Sequence, residues 1–363
     1  MGIWDNKIYI EDIEYAAGYS LPWEKLQDKK ILITGACGLI GSFAVDVLME
    51  KNKTNDMNCK IYALGRNREA AEKRFANHWE DPLFNFLCHD VNESLEEKMD
   101  EDFDYIIHLA SCTHPAAYAR NPVATIAANV FGTDNILKYT VRHHTQRFVF
   151  ASSNEIYGEN RGDVEFFSEK YCGYLDSNTL RAGYPESKRC GEALCQAYIK
   201  EQETDVVIPR FTRTYGPTML RSDTKAVSQF ISKAVTGDDI VLKSEGNQYY
   251  SYTYVADAVT GLFTVMLCGH CGEAYNIADS RSDILLKHLA EIAAEISGTK
   301  IVSANPDAVE RAGYSKATKA RLDGSKVKSL GWNIKYDIYA GMERTIRILK
   351  DVYGRKGRQE QWI

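Results

Sequence analysis

Short apolar runs alternate with stretches of helical periodicity through the first half of the chain. Lys30-Ile-Leu-Ile-Thr34 is one such run, ends in glycines and predicts a buried parallel strand. Leu39 to Lys51 reads as a helix, Lys60 to Leu64 as a second strand and Phe84 to Cys88 as a third. Tyr105 to Ala110 follows as a fourth strand, Thr125 to His143 as a long helix and Arg147 to Ser152 as a fifth strand. A helix over Tyr184 to Glu201 and a strand over Asp205 to Pro209 complete the series. Strands alternating with helices predict an α/β fold, a doubly wound parallel sheet with right-handed crossovers. Beyond Arg210 the pattern turns irregular and loop-rich. The residues before Lys29 include Trp4, Tyr9, Ile13, Tyr15 and Trp23, too apolar for a free tail, and are expected to pack on the body.

Composition narrows the partners rather than the fold. The 363 residues carry a net charge of -6, and no dense Lys/Arg stripe with interleaved aromatics appears, which argues against nucleic acid. No apolar run approaches membrane-spanning length, so no membrane is expected either. Nine scattered cysteines suit free thiols in a reducing cytoplasm. Cys268-Gly-His-Cys271 lacks the second cysteine pair of a zinc site and reads as a turn, so no metal is expected.

Two motifs in order carry the chemistry. Gly35-Ala-Cys-Gly38-Leu-Ile-Gly41 joins the first strand to a helix, where glycines let the backbone approach a pyrophosphate at a helix N-terminus. Cys37, Leu39 and Ile40 belong to that cofactor contact, as do Val91 after the third strand and Leu109, Ala110 and Ser111 after the fourth. At the end of the second strand Gly65-Arg66-Asn67-Arg68 offers no acid. Its charge leans toward NADP, while stacking of Arg66 on adenine keeps NAD open. Asp90 is placed either to meet the adenine amino group or to cap a turn.

Tyr184-Pro-Glu-Ser-Lys188 is the second motif. Residues i and i+4 share a helical face, so the Lys188 ammonium is expected to lower the Tyr184 pKa toward the working range of an acid-base catalyst. Both side chains are expected to touch the cofactor as well. Ser153 and Glu155, at the end of the fifth strand, add a hydroxyl to hold a substrate oxygen and a second acid-base group. Thr113, His114 and Asn154 line the adjoining cleft, and Asn129 is expected to orient it. Lys225 is in reach of a phosphate, and Asp257 is expected to order its own loop.

The glycine turn, Ser153-x-Glu155-x-Tyr-Gly158, Tyr184-x-x-x-Lys188 and Arg210-x-x-x-x-Tyr-Gly-Pro217 resemble the extended short-chain dehydrogenase/reductase family acting on nucleotide sugars, the NAD-dependent epimerases and dehydratases. The likeness runs from about Lys29 to Trp332 and is nearest to UDP-glucuronate decarboxylases, through Tyr171-Cys-Gly173, Arg181 to Arg189 and Asp223 to Ile231. The pattern divides the chain into an N-terminal extension over 1–28, a Rossmann-type sheet over 29–209 and a smaller C-terminal α/β substrate-binding region over 210–363. The resemblance implies tightly bound NAD, a nucleotide-sugar substrate and a homodimer built on two long helices per subunit. Ser153, Tyr184 and Lys188 would oxidise the sugar at C4, and Glu155 would assist the second step. Decarboxylation, 4,6-dehydration and 4-epimerisation all share that first step. A non-catalytic dinucleotide sensor is the rival from another class.

The chain departs from the family in three places. Tyr250 stands where an arginine grips the nucleotide phosphates, Arg213 replaces the usual asparagine, and the arginine near the C-terminal part falls in Lys319-Ala-Arg321. Arg213 is thereby a candidate for the missing charge, and Tyr250 and Arg321 for contact with substrate.

Overall fold

Strand β1 (Lys30–Thr34) is the middle of the sheet, and its residues show why. Residues 2–113, 120–306 and 318–354 are described, from a computed structural model. Within β1, Ile31 and Ile33 face one apolar cluster and Leu32 faces another, the alternation of a strand covered on both sides. Strand β2 (Lys60–Gly65) pairs with β1 on one flank, and β3 (Phe84–Cys88) lies outside it. On the other flank come β4 (Tyr105–His108), β5 (Arg147–Phe150), β7 (Val206–Phe211) and β11 (Ala274–Ile277), with the two-residue β6 (Ser152–Ser153) beside β7. All these pairings are parallel, in the order β3-β2-β1-β4-β5-β7-β11. That is the doubly wound Rossmann-type arrangement expected from the alternation.

The connecting helices sort between the two clusters. Helices α4 (Pro122–Arg142) and α5 (Gly183–Gln202) pack on each other and supply Ile136, Leu137 and Cys195 to the Leu32 side. On the Ile31 side lie α2 (Leu39–Asn55) and α7 (Val255–Cys268), the latter buried along its whole length except for Cys268. Short α3 (Arg68–Arg74) follows β2, capped by the Asn67 side chain. A second sheet centres on β10 (Tyr249–Tyr254), which pairs with β8 (Arg213–Tyr215), β12 (Asp283–Leu285) and β14 (Lys319–Ala320). Around it are α6 (Ala226–Thr236), α8 (Leu286–Ser297), α9 (Ile338–Tyr353) and the ribbon of β9 (Ile240–Leu242) with β13 (Ile301–Ser303).

The expected boundary at residue 210 falls inside β7 rather than after it. Later elements also return across it: α7 covers the first sheet and β11 extends it. Burial of a long parallel sheet on both faces requires such cover, and the C-terminal part provides it.

The N-terminal extension forms α1 (Lys7–Ala17), capped by Asn6, whose carboxamide oxygen accepts from the Ile8 and Tyr9 N–H groups. It joins the two halves through buried carboxylates. Tyr9 donates to Asp46 of α2, which also binds Arg74 at 2.5 Å and His78 at 3.0 Å. Asp12 accepts from Tyr254 of β10 at 2.6 Å and from Arg344 of α9 at 2.7 Å. Tyr15 donates to Asp257 at 2.7 Å, and Asp257 also accepts the Lys335 and Tyr336 N–H groups. Asp257 therefore orders the C-terminal turn and the extension as well as its own segment. Burial pushes its carboxyl up to about 6.

Burial raises the Asp46 carboxyl, but Arg74 and His78 outweigh it and hold the group below the usual carboxylate range. Asp46→Ala leaves Arg74 buried without its partner and should cost about 3–5 kcal/mol in denaturant unfolding. Because the folded-state pKa is depressed, this difference is full above about pH 4, the unfolded value, and shrinks as pH falls further. A variant within about 0.5 kcal/mol of the parent would mean that Asp46 does not anchor the seam.

Candidate active site

The ends of β1, β4 and β6 open on one side of the sheet, where doubly wound folds hold their ligands. Gly35 has φ +67°, and a Cβ there would lie 2.8 Å from the Leu109 and Ala110 backbone. A Cβ on Gly41 would lie 2.6 Å from the Gly35 carbonyl oxygen. The turn thus needs glycine at both positions to bring the start of α2 against the end of β4. Gly38 is the N-cap of α2, and Thr218, from beyond β8, fastens the turn by donating to the Leu39 carbonyl at 2.8 Å. Cys37 and Ile40 pack half-buried beside it, and burial raises the Cys37 thiol to about 11. Ser111 Oγ, after β4, is buried with no hydrogen-bond partner among the described residues. Cradle and orphan hydroxyl together fit a dinucleotide whose pyrophosphate meets the turn.

At the end of β2 the arginines are already engaged. Arg66 Nη1 lies 3.7 Å from Asp90, and Arg68 bonds Glu72 at 2.9 Å and stacks on Trp79. Asp90 also caps its turn, accepting from the Asn92 backbone at 3.0 Å, so it takes the turn-capping position while facing Arg66. Val91 is buried against Gly132 of α4.

Tyr184 occupies the first turn of α5 with Lys188 one turn later, both buried. Ser153 is the N-cap of a 3₁₀ turn over Asn154–Tyr157, its Oγ accepting from the Glu155 N–H at 3.2 Å. Arg189 holds this turn to α5 by donating to the Ile156 carbonyl at 2.7 Å and the Gly173 carbonyl at 2.8 Å. A Cβ on Gly173 would sit 2.1 Å from the Tyr157 carbonyl oxygen, which accounts for the glycine in Tyr171-Cys-Gly173. Below the turn, Arg210 is paired with Glu192 at 2.6 Å and with the Tyr157 hydroxyl at 2.8 Å, so it supports the site without reaching the cleft.

The expected depression of the Tyr184 pKa by Lys188 is not what the protein itself produces. Burial pushes Tyr184 up to about 12, with a hydrogen bond to Ser153 pulling the other way. Lys188 spends its ammonium on the Ala151 carbonyl at 2.8 Å and over the Phe150 ring, and burial lowers it to about 8. The two residues share a helical face, but neither is among the leading influences on the other's proton, and desolvation dominates both.

Glu155 is half-buried in the cleft wall and ionised. Burial raises its carboxyl, but Arg181, which donates to Oε2, and Arg213, with Nη2 3.8 Å from Oε1, hold it below the usual carboxylate range. Arg181, Arg213, Asn154 and Glu155 line one cleft. Arg213 lies 3.5 Å from the centre of the Tyr250 ring. Lys225 is bound to Asp223 at 2.7 Å and contributes to the field at Glu155.

Arg321 goes elsewhere, packed between Phe166 and Tyr249 and bonded to Glu165 at 3.1 Å. Thr113 is exposed after β4, and His114 lies outside the described residues. Asn129 donates to Ser187 at 2.9 Å, and Ser187 to the Tyr184 carbonyl at 2.9 Å, so it steadies the first turn of α5.

Arg181 was not picked out from the sequence as a site residue. It stands 26 residues from Glu155, and only the path of the loop brings them together. The same holds for His108, buried between Thr34 at 2.8 Å and Thr133 at 3.2 Å and kept neutral by burial, which lowers it to about 3. A polar residue in an otherwise apolar strand was the available signal.

Comparisons with known proteins agree on the family. The model of the NAD dependent epimerase/dehydratase family matches residues 31–278. Similar proteins include UDP-glucuronic acid decarboxylase 1 of Xenopus tropicalis, 31% identical over 330 residues, covering 89% of this chain and 72% of that one. UDP-glucuronic acid decarboxylase 6 of Arabidopsis thaliana is 33% identical over 318 residues, 86% of each chain. Among solved structures, a dTDP-glucose 4,6-dehydratase from Streptomyces venezuelae superposes with TM-score 0.76 at 24% identity, over 90% of this chain and 98% of that one. A UDP-glucuronic acid 4-epimerase from Bacillus cereus superposes with TM-score 0.77 at 20% identity, over 89% of this chain and 100% of that one. With the sheet order, the glycine turn and the Ser153–Tyr184–Lys188 placement, these matches establish that the chain belongs to the NAD dependent epimerase/dehydratase family.

Proposed function

We propose that this protein transforms a nucleotide-activated sugar through a transient 4-keto intermediate, and that it decarboxylates UDP-glucuronate to UDP-xylose. The observation that carries this reading is Glu155, ionised between Arg181 and Arg213 beside Ser153 and Tyr184. A 4,6-dehydratase would need this carboxylate to take the C5 proton, and a carboxylate held by two guanidiniums is a weak base. Decarboxylation makes no such demand, and a surplus of arginine suits an acidic sugar. The names of the similar decarboxylases point the same way.

The Gly35–Gly41 turn, Leu109 to Ser111 and the Tyr184–Lys188 face would hold the cofactor. NAD bound there supplies a hydride acceptor and a cationic ring whose charge favours the phenolate of Tyr184. Ser153 holds the sugar C4 oxygen and Tyr184 takes its proton. The C4 carbonyl is then β to the carboxylate, so the electron pair released with carbon dioxide enters a C4–C5 enolate. Protonation at C5 and return of hydride and proton to C4 complete the cycle, with Tyr184 as the donor at C4. Glu155 keeps Arg181 and Arg213 in place around the reacting sugar. For the cofactor we favour NAD, which is bound in the similar dTDP-glucose 4,6-dehydratase and UDP-glucuronic acid 4-epimerase structures.

We also propose a homodimer formed on α4 and α5. Val123 and Phe131 of α4 and Leu180 ahead of α5 are 79%, 63% and 71% exposed, an apolar display that suits subunit contact. Nine free cysteines suit a cytoplasmic setting.

Mass spectrometry after incubation with UDP-glucuronate and a panel of UDP-, dTDP-, CDP- and GDP-hexoses should detect loss of carbon dioxide from UDP-glucuronate. Loss of water from a hexose, or an unchanged mass at a new retention time, would replace decarboxylation by dehydration or epimerisation. Tyr184→Phe should lower kcat at least about 100-fold while cofactor binding stays unchanged. Full activity in that variant would remove Tyr184 from the chemistry. Light scattering should give a dimer, and Phe131→Glu a monomer. A parent protein already monomeric at micromolar concentration would overturn the dimer.

A further inference from the structure

Arg213 leaves β8 in register with Tyr252 of β10, and its guanidinium reaches back over the ring of Tyr250 on the same strand face. At 3.5 Å from the ring centre, the aromatic face fixes the guanidinium plane and screens it from water. Its partners do not exhaust it. Nη2 is 3.8 Å from Glu155, beyond a hydrogen bond, and Nη1 is buried with no hydrogen-bond partner among the described residues. A buried N–H without an acceptor is costly, and in a cleft wall it identifies a place for one. The local charges agree. Among the described residues Arg213 forms its ion pair with one carboxylate, Glu155, which Arg181 also binds, and Lys225 is paired with Asp223. Glu159 and Asp176 also line the cleft, but neither forms an ion pair with Arg213 among the described residues.

We infer that Arg213, propped on Tyr250, is a specificity-determining residue that receives an anionic oxygen of the substrate beside Glu155. This rests on the nucleotide-sugar reading of the same cleft. The oxygen belongs either to a carboxylate on the sugar or to the diphosphate, and both offer the acceptor that the orphan N–H requires. Tyr250 contributes by holding the guanidinium in plane, so the pair acts as one unit.

The test is calorimetric titration of the cofactor-loaded protein with UDP, UDP-glucose and UDP-glucuronate. Arg213→Gln should weaken binding about 10- to 100-fold, the loss expected of one charge-assisted hydrogen bond. A loss confined to UDP-glucuronate assigns the contact to the sugar carboxylate; an equal loss for all three assigns it to the diphosphate. Unchanged affinity for all three overturns the inference. Should Arg213→Gln fail to fold, Tyr250→Leu decides, because it removes the prop and keeps the charge. It should weaken the same ligands about 3- to 30-fold, and unaltered binding would again overturn the inference. If the parent protein binds none of the three ligands, the UDP-sugar reading of the cleft itself fails. Binding by the parent with no effect of either variant removes Arg213 alone.

Discussion

Tyr184 and Lys188 are shielded from water, and much of the site follows from that. Tyr184 and Lys188 are buried and Glu155 is half-buried, and in each desolvation is the largest influence on the proton equilibrium. Burial favours the neutral form of every group, so a charge survives only where the structure compensates it. Glu155 is compensated by Arg181 and Arg213 and stays ionised. On the lowering side of Tyr184 stand the Ser153 hydroxyl and the Arg181 guanidinium, which burial outweighs, so it stays a phenol. Lys188 is lowered to about 8 and directs an N–H at the Ala151 carbonyl. The resting site is thus an acid at Tyr184 and a fixed anion at Glu155.

The same rule shapes the scaffold. The extension at the start of the chain does not merely rest on the body; it brings Tyr9 and Tyr15 to Asp46 and Asp257, and Asp12 to Tyr254 and Arg344. Each of those carboxylates is buried, and each is satisfied from more than one element. A network of this kind is costly when incomplete and rigid when complete. Its elements α2, β10 and α7 also border the cofactor turn and the cleft, so the seam fixes how the two sheets face each other. Rigid positioning of a buried site is what proton transfer at a defined distance requires.

Much of this was legible in the sequence, for identifiable reasons. Apolar runs and glycines marked the strands and the doubly wound class, because strands buried on both faces leave near-continuous apolar runs in the sequence. The Gly35, Gly38 and Gly41 turn and the Tyr184–Lys188 spacing are local patterns and lie where expected. The helix of the extension was missed, since Ile8, Tyr9, Ile13 and Tyr15 serve several partners and blur a single amphipathic stripe. Long-range electrostatics stayed hidden. Nothing near Arg181 announces Glu155, and the spacing of Tyr184 and Lys188 suggested a depressed tyrosine pKa where burial raises it. Spacing reports proximity, whereas pKa depends on everything else that surrounds the pair. Arg321 illustrates the reverse case: a plausible motif position whose side chain is taken by Phe166, Tyr249 and Glu165.

The measurement that tests this account most directly is an ultraviolet phenolate titration of the cofactor-free protein, with Tyr184→Phe as the reference and NAD added in a second series. The account predicts that no phenolate assignable to Tyr184 forms below about pH 11 without NAD, because burial holds the group near 12, and that NAD lowers its titration. A Tyr184 phenolate already present near neutral pH in the cofactor-free protein would contradict it, and would return the control of this tyrosine to Lys188.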